Sequence, residues 1–392
     1  MEFALENGTL FLSPKGRIDS ANAAAFEQEL TQSISEHPGA AIVLDAAGLD
    51  YISSAGLRVL LRQRKSLEEL TVRNVSPALY EIFEITGFTS LLKVEKALRF
   101  LSVEGLEQLG AGVHSTVYRL DGESILKVVK DMTLEAIRAE MQVSKKALFH
   151  GVPTAISYDV VRTEEGYGEV YELFRAGVLS AAVMAEPERR EEYLDQFVAM
   201  YRQIHSVEIG EGELDSVRSR YLAAAEALTP LASPEESALV RRMIETVPEG
   251  RSFIHGDFHM NNVMLQDGEL LLIDVGEAGR GHPLFDFAQT EWAYLMATAY
   301  APERCERITG MSPEEARFVH ERLFPLYFGE AGEALERKLA VVNGMALLRR
   351  LLIPFLQNWN EASDAVRERL PAARQDLFPR IGSLCELIKS EF

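Results

Sequence analysis

Cysteine is scarce in this sequence, which has only Cys305 and Cys385 among its 392 residues. Two thiols are too few for a disulfide framework or a thiolate metal cluster, so a reducing compartment is expected. The chain also lacks a run of about 18 uncharged apolar residues, because the nearest one, at 341–356, is interrupted by Arg349 and Arg350. The opening residues, MEFALENG, have neither a basic nor an apolar segment, so no secretory signal is predicted. We therefore expect a cytoplasmic protein that does not cross a membrane.

Basic residues are in the minority, with 40 Lys and Arg against 60 Asp and Glu and a formal charge of −20. Nucleic acids and anionic membranes are bound through an excess of Lys and Arg, so neither is expected as a partner. A cationic ligand is compatible with this charge, but a solvated acidic surface accounts for it without any ligand. With 47% hydrophobic residues, the composition is that of a globular protein, and the length favours two domains.

The first 100 residues alternate between segments of strand and helix character. Strands are predicted at 9–12, 41–44 and 71–75, and amphipathic helices at 23–34, 57–67 and 77–85. Strands separated by helices indicate mostly parallel pairing with the helices packed on the sheet. We therefore predict an α/β domain with a mixed sheet over 1–100.

The pattern changes near residue 105. Strands are predicted at 106–109, 116–120, 125–129, 155–161 and 169–174, with a helix at 133–149 and mainly helices from 188 onward. The Asp121-Gly122 pair is typical of a hairpin turn. We predict an α+β domain over 105–390 with two lobes, about 105–174 and 175–390, and a cleft between them.

The segment IHGDFHMNNVML at 254–265, followed by LLLIDVGEAG, contains the groups that phosphoryl transfer requires. Such a reaction needs a carboxylate near the attacking hydroxyl, oxygen ligands for magnesium, and a cation on the nucleotide phosphates. Asp257, Asn262 and Asp274 provide the first two, and Lys127, near the end of a predicted strand, provides the third. The sequence therefore predicts a phosphotransferase, with an inactive kinase-like fold as the alternative.

Upstream, LGAGVHSTVY at 109–118 contains two glycines that let a backbone flap approach phosphate. Glu140 on the following helix is placed to pair with Lys127. A zinc site at His255 and His259 is disfavoured, because Gly256 argues against a helix there and no third ligand is evident.

These motifs, with IHS at 204–206 and GHPLFDFA at 281–288, resemble the aminoglycoside/choline phosphotransferase family, which is related to the protein kinase fold. The resemblance covers about 105–390 and implies ATP and Mg2+ as cofactors. It assigns catalysis to Asp257, Lys127 and Asn262, where Asp257 orients the substrate hydroxyl and accepts its proton. Asn262 and Asp274 would bind the metal. Nucleotide binding is assigned to Gly110, Gly112, Ser115, Lys127, Glu140, Glu172 and Phe174, the last two in a hinge at 171–174 that binds adenine through its backbone.

Two departures concern the nucleotide: Ser115 replaces the third glycine of protein kinases, and DVG replaces DFG. His205 and Asp286 are expected to be structural, with Asp286 holding the catalytic loop by hydrogen bonds. The family's amine-bearing substrates fit the acidic balance of this domain. Of the nearby acids Glu277, Asp286 and Glu291, some are candidates for the acceptor pocket, but surface solvation is expected for most.

Ser54 lies where the second helix should begin, in YISSAGLRVLL. Its hydroxyl is expected to cap the helix, although a phosphate there would also be favourable at the positive helix end. Sequences around it, GRIDSANAAAFEQEL, VLDAAGLDYISSAGLRVLL and VRNVSPALYEIFEITGF, resemble the STAS domain of anti-sigma factor antagonists over about 1–100. The resemblance places the regulatory phosphoserine at Ser54 and retains Asp19 and Asp45. However, Ser53 stands where an acidic residue often precedes that serine. Gly56 is expected to allow close helix packing.

Two functions follow from these observations. The first is an ATP- and Mg-dependent kinase for a small-molecule hydroxyl, whose STAS domain regulates it or binds a regulatory protein such as an anti-sigma-type kinase. The second is an anti-sigma antagonist type of protein switch, in which the kinase-like domain is a sensor or phosphorylates Ser54. The first is favoured because the phosphoryl-transfer set is complete.

Overall fold

The computed structural model divides the chain into two compact units, Met1–Ser102 and Val103–Phe392. It describes every residue except 7, 68, 112–114, 131, 174–176, 267 and 301, and the side chains of 296 and 297. The buried apolar side chains form a separate cluster in each unit. Each unit therefore has its own hydrophobic core.

The first unit is built on a five-stranded sheet in the order β1-β2-β4-β6-β7. The β1–β2 pair is antiparallel and the other pairs are parallel. A second, two-stranded sheet pairs β3 with β5. The strands are β1 (Glu2–Glu6), β2 (Thr9–Ser13), β3 (Gly16–Ile18), β4 (Ala41–Asp45), β5 (Leu49–Ile52), β6 (Leu70–Val75) and β7 (Lys93–Lys96).

Its helices are α1 (Ala23–Glu36), α2 (Ser54–Ser66) and α3 (Pro77–Ile85). Each buries apolar residues at helical spacing, such as Phe26 and Leu30 in α1. One boundary was predicted wrongly: α2 begins at Ser54 rather than at residue 57. Its N-cap is Ser53, whose Oγ accepts a hydrogen bond from the Gly56 N–H at 3.4 Å. Ser54 is therefore the first helical residue and not the cap.

The second unit begins with a five-stranded sheet in the order β11-β12-β10-β9-β8, in which all pairs are antiparallel. The predicted hairpin at Asp121-Gly122 is confirmed, since it joins the paired strands β9 and β10. The last two strands lie two to three residues from their predicted positions. The elements are β8 (Glu107–Ala111), β9 (Ser115–Arg119), β10 (Ser124–Val129), α4 (Leu134–Phe149), β11 (Ser157–Thr163) and β12 (Gly166–Glu172).

The rest of the second unit is mainly helical, with two short antiparallel ribbons, β13–β16 and β14–β15. Its strands are β13 (Ser252–Ile254), β14 (Val263–Gln266), β15 (Glu269–Leu272) and β16 (Gly279–Gly281). Its described helices include α5 (Leu179–Ala185), α6 (Arg190–Ser206), α7 (Val217–Leu228), α8 (Pro234–Thr246), α9 (Leu284–Leu295), α10 (Cys305–Thr309), α11 (Pro313–Phe328), α12 (Gly332–Leu356), α13 (Ala362–Asp376) and α14 (Ile381–Glu391). The predicted fold class is confirmed: an α/β unit precedes an α+β unit with two lobes.

By length and composition alone, α12 could cross a membrane, and it is the one such helix in the described part of the chain. However, 61% of its most apolar window is buried inside the protein. Val341, Met345, Leu348 and Leu352 have no more than 1% of their surface exposed. Since a core helix passes the same length and composition test, α12 gives only weak evidence for a membrane span.

Candidate active site

Asp257 lies in the loop after β13, and hydrogen bonds from a buried carboxylate fix this loop. Asp286 is fully buried and accepts the N–H groups of His255 at 2.8 Å and Gly256 at 2.7 Å. Gly256 has a φ of 84°, and a Cβ there would lie 2.7 Å from the carbonyl oxygen of Glu277. Only glycine fits this turn without strain, and the turn places Asp257 at the mouth of a cavity.

The carboxylate of Asp257 is held by two amide side chains. Asn262 Nδ2 donates to its Oδ2 at 3.1 Å and to its backbone carbonyl at 2.9 Å. Gln289 Nε2 donates to Oδ1. Burial by itself raises the pKa of Asp257, but its electrostatic interactions with His259, Arg349 and His255 together outweigh burial and lower the pKa. An ionised, oriented carboxylate suits the positioning of an alcohol hydroxyl.

Lys127 on β10 meets two carboxylates from other elements. Its Nζ donates to Asp274 Oδ1 and lies 3.6 Å from Glu140 Oε1 on α4. Burial lowers the pKa of Lys127, but the negative charges of Asp274 and Glu140 outweigh this effect and raise it. Lys127 therefore carries a positive charge.

Glu169 is a third carboxylate near this lysine that the sequence analysis did not identify. It faces Lys127 in the β10–β12 register and is 2% exposed. It accepts a hydrogen bond from Ser157 Oγ at 2.5 Å, and burial raises its pKa. The signal available in the sequence was an acidic residue, Glu169, within a strand whose neighbouring residues are buried.

Asn262 and Asp274, the predicted metal ligands, are linked through the backbone. The N–H of Ile273 donates to the carbonyl oxygen of Asn262 at 3.0 Å, and Asp274 adopts a left-handed conformation with a φ of 56°. Asn262 Nδ2 is used by Asp257, whereas its Oδ1 makes no hydrogen bond among the described residues. An amide oxygen and a carboxylate are ligands that Mg2+ prefers. No cluster of three or more His, Cys, Asp or Glu suited to a metal exists among the described residues.

A cavity of about 580 Å³ lies between the sheet and the β14–β15 ribbon. It brings together most of the predicted nucleotide-binding and metal-binding residues, namely Gly110, Ser115, Lys127, Glu140, Asn262 and Asp274. Gly112 and Phe174 lie outside the described residues.

Glu172, assigned to nucleotide binding as part of the hinge, is the last residue of β12. Tyr171 and Leu173 line the cavity, but Glu172 does not. Its N–H donates to the carbonyl oxygen of Ile156 and its Oε1 accepts the N–H of Ile156 at 2.7 Å. Strand alternation explains the difference, since neighbouring residues face opposite sides of the sheet.

A second cavity of about 1320 Å³ is lined by Asp257, and it is called the acceptor cavity after the role proposed for it below. It shares Lys127, Glu140 and Asp274 with the 580 Å³ cavity. Two adjoining spaces therefore meet at the lysine and the second aspartate.

Arg349 is another residue whose role the sequence analysis missed. It is 4% exposed, its Nη2 donates to the carbonyl oxygen of Gly256 at 3.2 Å, and it lies 3.6 Å from Glu277 Oε2. This hydrogen bond to Gly256 stabilises the loop that carries Asp257. The available signal was its position in an apolar run, where a charge needs a partner.

The structural roles predicted for His205 and Asp286 are confirmed. His205 Nε2 lies 3.1 Å from Asp286 Oδ2, and its Nδ1 lies 2.9 Å from Tyr327 Oη. Surface solvation, which was expected for most of Glu277, Asp286 and Glu291, does not apply to the last two. Both are buried, and Glu291 Oε2 is 3.0 Å from His320 Nε2.

In the first unit, Ser54 is exposed at the start of α2. The close packing expected at Gly56 is confirmed, because a Cβ there would lie 2.7 Å from side-chain atoms of both Ile18 and Ile52. Asp45 accepts hydrogen bonds from Asn74 and Arg73, each at 3.0 Å. Burial opposes ionisation of Asp45, but these bonds prevail and lower its pKa.

Comparison with known proteins agrees with this division. The chain belongs to the phosphotransferase enzyme family, whose model matches residues 105–323. Its first unit is a STAS domain, matched over residues 2–101. Over 92 residues it is 41% identical to a protein named as an anti-sigma factor antagonist, BtrV of Bordetella bronchiseptica, covering 22% of this chain and 78% of the relative.

Other similarities are weaker. A polyribonucleotide nucleotidyltransferase of Saccharopolyspora erythraea is 28% identical over 226 residues, and this match spans 57% of the chain but 28% of that protein. A choline/ethanolamine kinase family protein from Mesorhizobium loti is 17% identical with a TM-score of 0.46, covering 74% of this chain and 93% of that one. The streptomycin–ATP complex of APH(2")-IIa is 15% identical with a TM-score of 0.46, covering 73% and 93%.

Proposed function

We propose that the protein transfers the γ-phosphate of ATP to a hydroxyl group of a small molecule, with Mg2+ as the metal. The observation that carries this proposal is the junction of the two cavities. Lys127 and Asp274 line both of them, Asn262 lines the smaller one and Asp257 lines the acceptor cavity. A phosphate at this junction would have the nucleotide on one side and the acceptor on the other.

The roles of the side chains follow from their positions. Lys127 binds the α- and β-phosphates, and Glu140 orients it by an ion pair. Asn262 and Asp274 would hold Mg2+, which neutralises phosphate charge when bound. The acceptor oxygen forms a bond to the γ-phosphorus while the bond to the bridging oxygen breaks and ADP leaves with that electron pair. The acceptor proton passes to Asp257, which Asn262 and Gln289 hold in place.

The test is Asp257→Asn in the full-length protein. We expect acceptor-dependent ADP release to fall by roughly 10²- to 10⁴-fold, because the hydroxyl loses its oriented base. ATP binding should persist, because Asp257 does not line the cavity of about 580 Å³ in which the nucleotide would bind.

Asp195→Asn is the matched control, since Asp195 is exposed on α6. It should leave ADP release unchanged. Full activity of Asp257→Asn, with the control also active, would contradict the proposal.

A second candidate is a protein switch in which the STAS domain binds a regulatory protein. The observations that favour it are the 41% identity to BtrV and the exposed position of Ser54. A phosphate at Ser54 would place negative charge at the positive end of α2 without burying it. The two candidates differ in what receives the phosphate, a small alcohol or this serine.

A further inference from the structure

The acceptor cavity has a wall that begins at Asp257 and continues along α9. Gln289, which holds Asp257, is followed by Trp292 and Ala293 at helical spacings of three and four, so all three share one face. Trp359 lines the same cavity, and the chain has only two tryptophans. Both tryptophans therefore lie on the space that an acceptor would enter.

Four arginines line this cavity: Arg220, whose charge interacts with Glu277 and Asp215, and three others, Arg304, Arg307 and Arg369. Arg304 and Arg307 are exposed, one helical turn apart at the start of α10. The nearest carboxylate to Arg304 is that of Glu303, at 3.8 Å, and Arg307 has no ionic partner in the described part of the chain. Arg369 lies over the Trp359 ring, 4.9 Å from its centroid. Its Nη1 is buried and has no hydrogen-bond partner among the described residues.

Arg350, which does not line the acceptor cavity, adds positive charge near Arg369. Arg350 lies 5.7 Å from the centroid of Trp292 and 4.8 Å from that of Tyr300. Burial and the charge of Arg350 together lower the pKa of Arg369. The guanidinium groups of Arg350 and Arg369 repel one another, and an anion bound to Arg369 would relieve this repulsion.

The acids of the same cavity that lie outside the catalytic set are already engaged. Glu277 Oε1 accepts a hydrogen bond from Gln357 at 2.8 Å. Glu213 Oε2 accepts the N–H of Gly210 at 2.6 Å and lies 3.1 Å from His150 Nε2. Asp215 interacts with the charge of Arg220. Arg307 and Arg369 are among the charged groups of this cavity that form no ion pair in the described part of the chain, whereas the acidic composition had favoured an amine.

We propose that the acceptor is an alcohol bearing an anionic group, a carboxylate or a phosphate, beside an apolar or aromatic moiety. Arg307 and Arg369 bind the anion, since guanidinium groups match both anions by paired hydrogen bonds. Trp292 and Trp359 contact the apolar part. This inference rests on the proposed phosphotransfer, because it assigns the substrate class of that same site.

The experiment compares probes that share one ring and one reacting hydroxymethyl group but differ in charge. These are 4-(hydroxymethyl)benzoate, 4-(hydroxymethyl)phenyl phosphate, 4-(hydroxymethyl)benzylamine and 1,4-benzenedimethanol. Binding to the full-length protein is measured by quenching of tryptophan fluorescence with a nonhydrolysable ATP analogue and Mg2+ present, and turnover is measured as ADP release with ATP. We expect at least one anionic probe to bind roughly tenfold more tightly than the amine or the diol. Whichever anion binds more tightly identifies the group.

Arg307→Gln and Arg369→Gln should each weaken binding of the anionic probe by about five- to tenfold and leave the diol unchanged. Arg367→Gln is the matched control on α13, because Arg367 is exposed and pairs with Asp364 at 2.5 Å. It should behave as the unmodified protein.

The outcomes separate this inference from the proposed function. Preference for the amine, equal binding of all probes, no quenching by any probe at millimolar concentration, or no effect of the arginine substitutions would overturn the inference. If the amine is phosphorylated in an Asp257-dependent manner, the phosphotransferase stands and the anionic acceptor is rejected. If an anion binds through the arginines but ADP release never depends on Asp257, the proposed function fails while the charge preference remains.

Discussion

Gly276 follows the second aspartate of the site by two residues, and Glu140 occupies the space beside it. A Cβ at position 276 would lie 2.8 Å from Cγ and 2.9 Å from Cδ of Glu140, closer than such contacts occur. Gly276→Ala should therefore displace the Glu140 carboxylate from Lys127. We expect the KM for ATP to rise by roughly three- to tenfold with a smaller change in kcat, because Lys127 loses an orienting partner.

Gly382→Ala is the control, because a Cβ there meets no atom within 4 Å and the position lies inside α14. This substitution should leave the KM for ATP unchanged. An unaltered KM in Gly276→Ala as well would mean that the Glu140 pairing does not contribute to nucleotide binding.

Among individual residues, the site residues that could be predicted from the sequence are those that lie close together along the chain. Asp257 and Asn262 are five residues apart, and Asp274 follows by a short hairpin, so local structure alone brings them together. Gln289 and Arg349 reach the same loop from distant helices. No local pattern identifies such contacts, because they depend on how helices pack in the lobe.

At the scale of elements, the start of α2 gives the clearest contrast between neighbouring residues. Ser53 is the N-cap and accepts the Gly56 N–H, whereas Ser54 is exposed in the first turn. Ser53→Ala should lower the free energy of unfolding of the STAS domain by about 0.5–2 kcal/mol, because the cap is lost. Ser54→Ala should be nearly neutral, since alanine favours helix and no described hydrogen bond is removed.

Hydrogen exchange of the α2 amides is the appropriate measurement. Both tryptophans lie in the second unit, so their fluorescence does not report on this helix. Faster exchange in Ser53→Ala than in Ser54→Ala is expected. Equal effects would assign the cap to both serines and contradict the observed boundary.

The elements that sequence analysis missed share a physical cause. β1, β3, β5 and β7 are only three to five residues long, too short for a periodic pattern to stand out from loops. For example, β1 alternates Phe3 and Leu5 with polar or small residues, but all five of its residues are exposed, so the alternation does not mark a buried face. The helices and the buried strands β4 and β6 carry a periodic apolar pattern and could be predicted.

At the scale of the whole molecule, the question is whether the second unit phosphorylates the first. A phosphate on Ser54 would suit the fold, since negative charge is favourable at a helix N-terminus. The two possible acceptors, Ser54 and a small alcohol, differ in how readily their oxygen can reach the γ-phosphorus. The reacting oxygen must come within about 3–3.5 Å of that phosphorus. Ser54 belongs to a folded helix whose following residues Gly56 and Leu57 are buried, whereas the acceptor cavity of about 1320 Å³ is large enough to hold a small molecule.

We therefore expect no Asp257-dependent phosphate on Ser54 when the full-length protein is incubated with ATP and Mg2+. Mass spectrometry of the peptide that contains Ser54 checks this, with Asp257→Asn as the control for phosphate from a contaminating kinase. Phosphate that appears in the unmodified protein but not in Asp257→Asn would make the STAS domain itself the acceptor. Phosphate that appears equally in both would instead come from a separate protein kinase, as expected if Ser54 receives a regulatory signal while the phosphotransferase acts on a small alcohol.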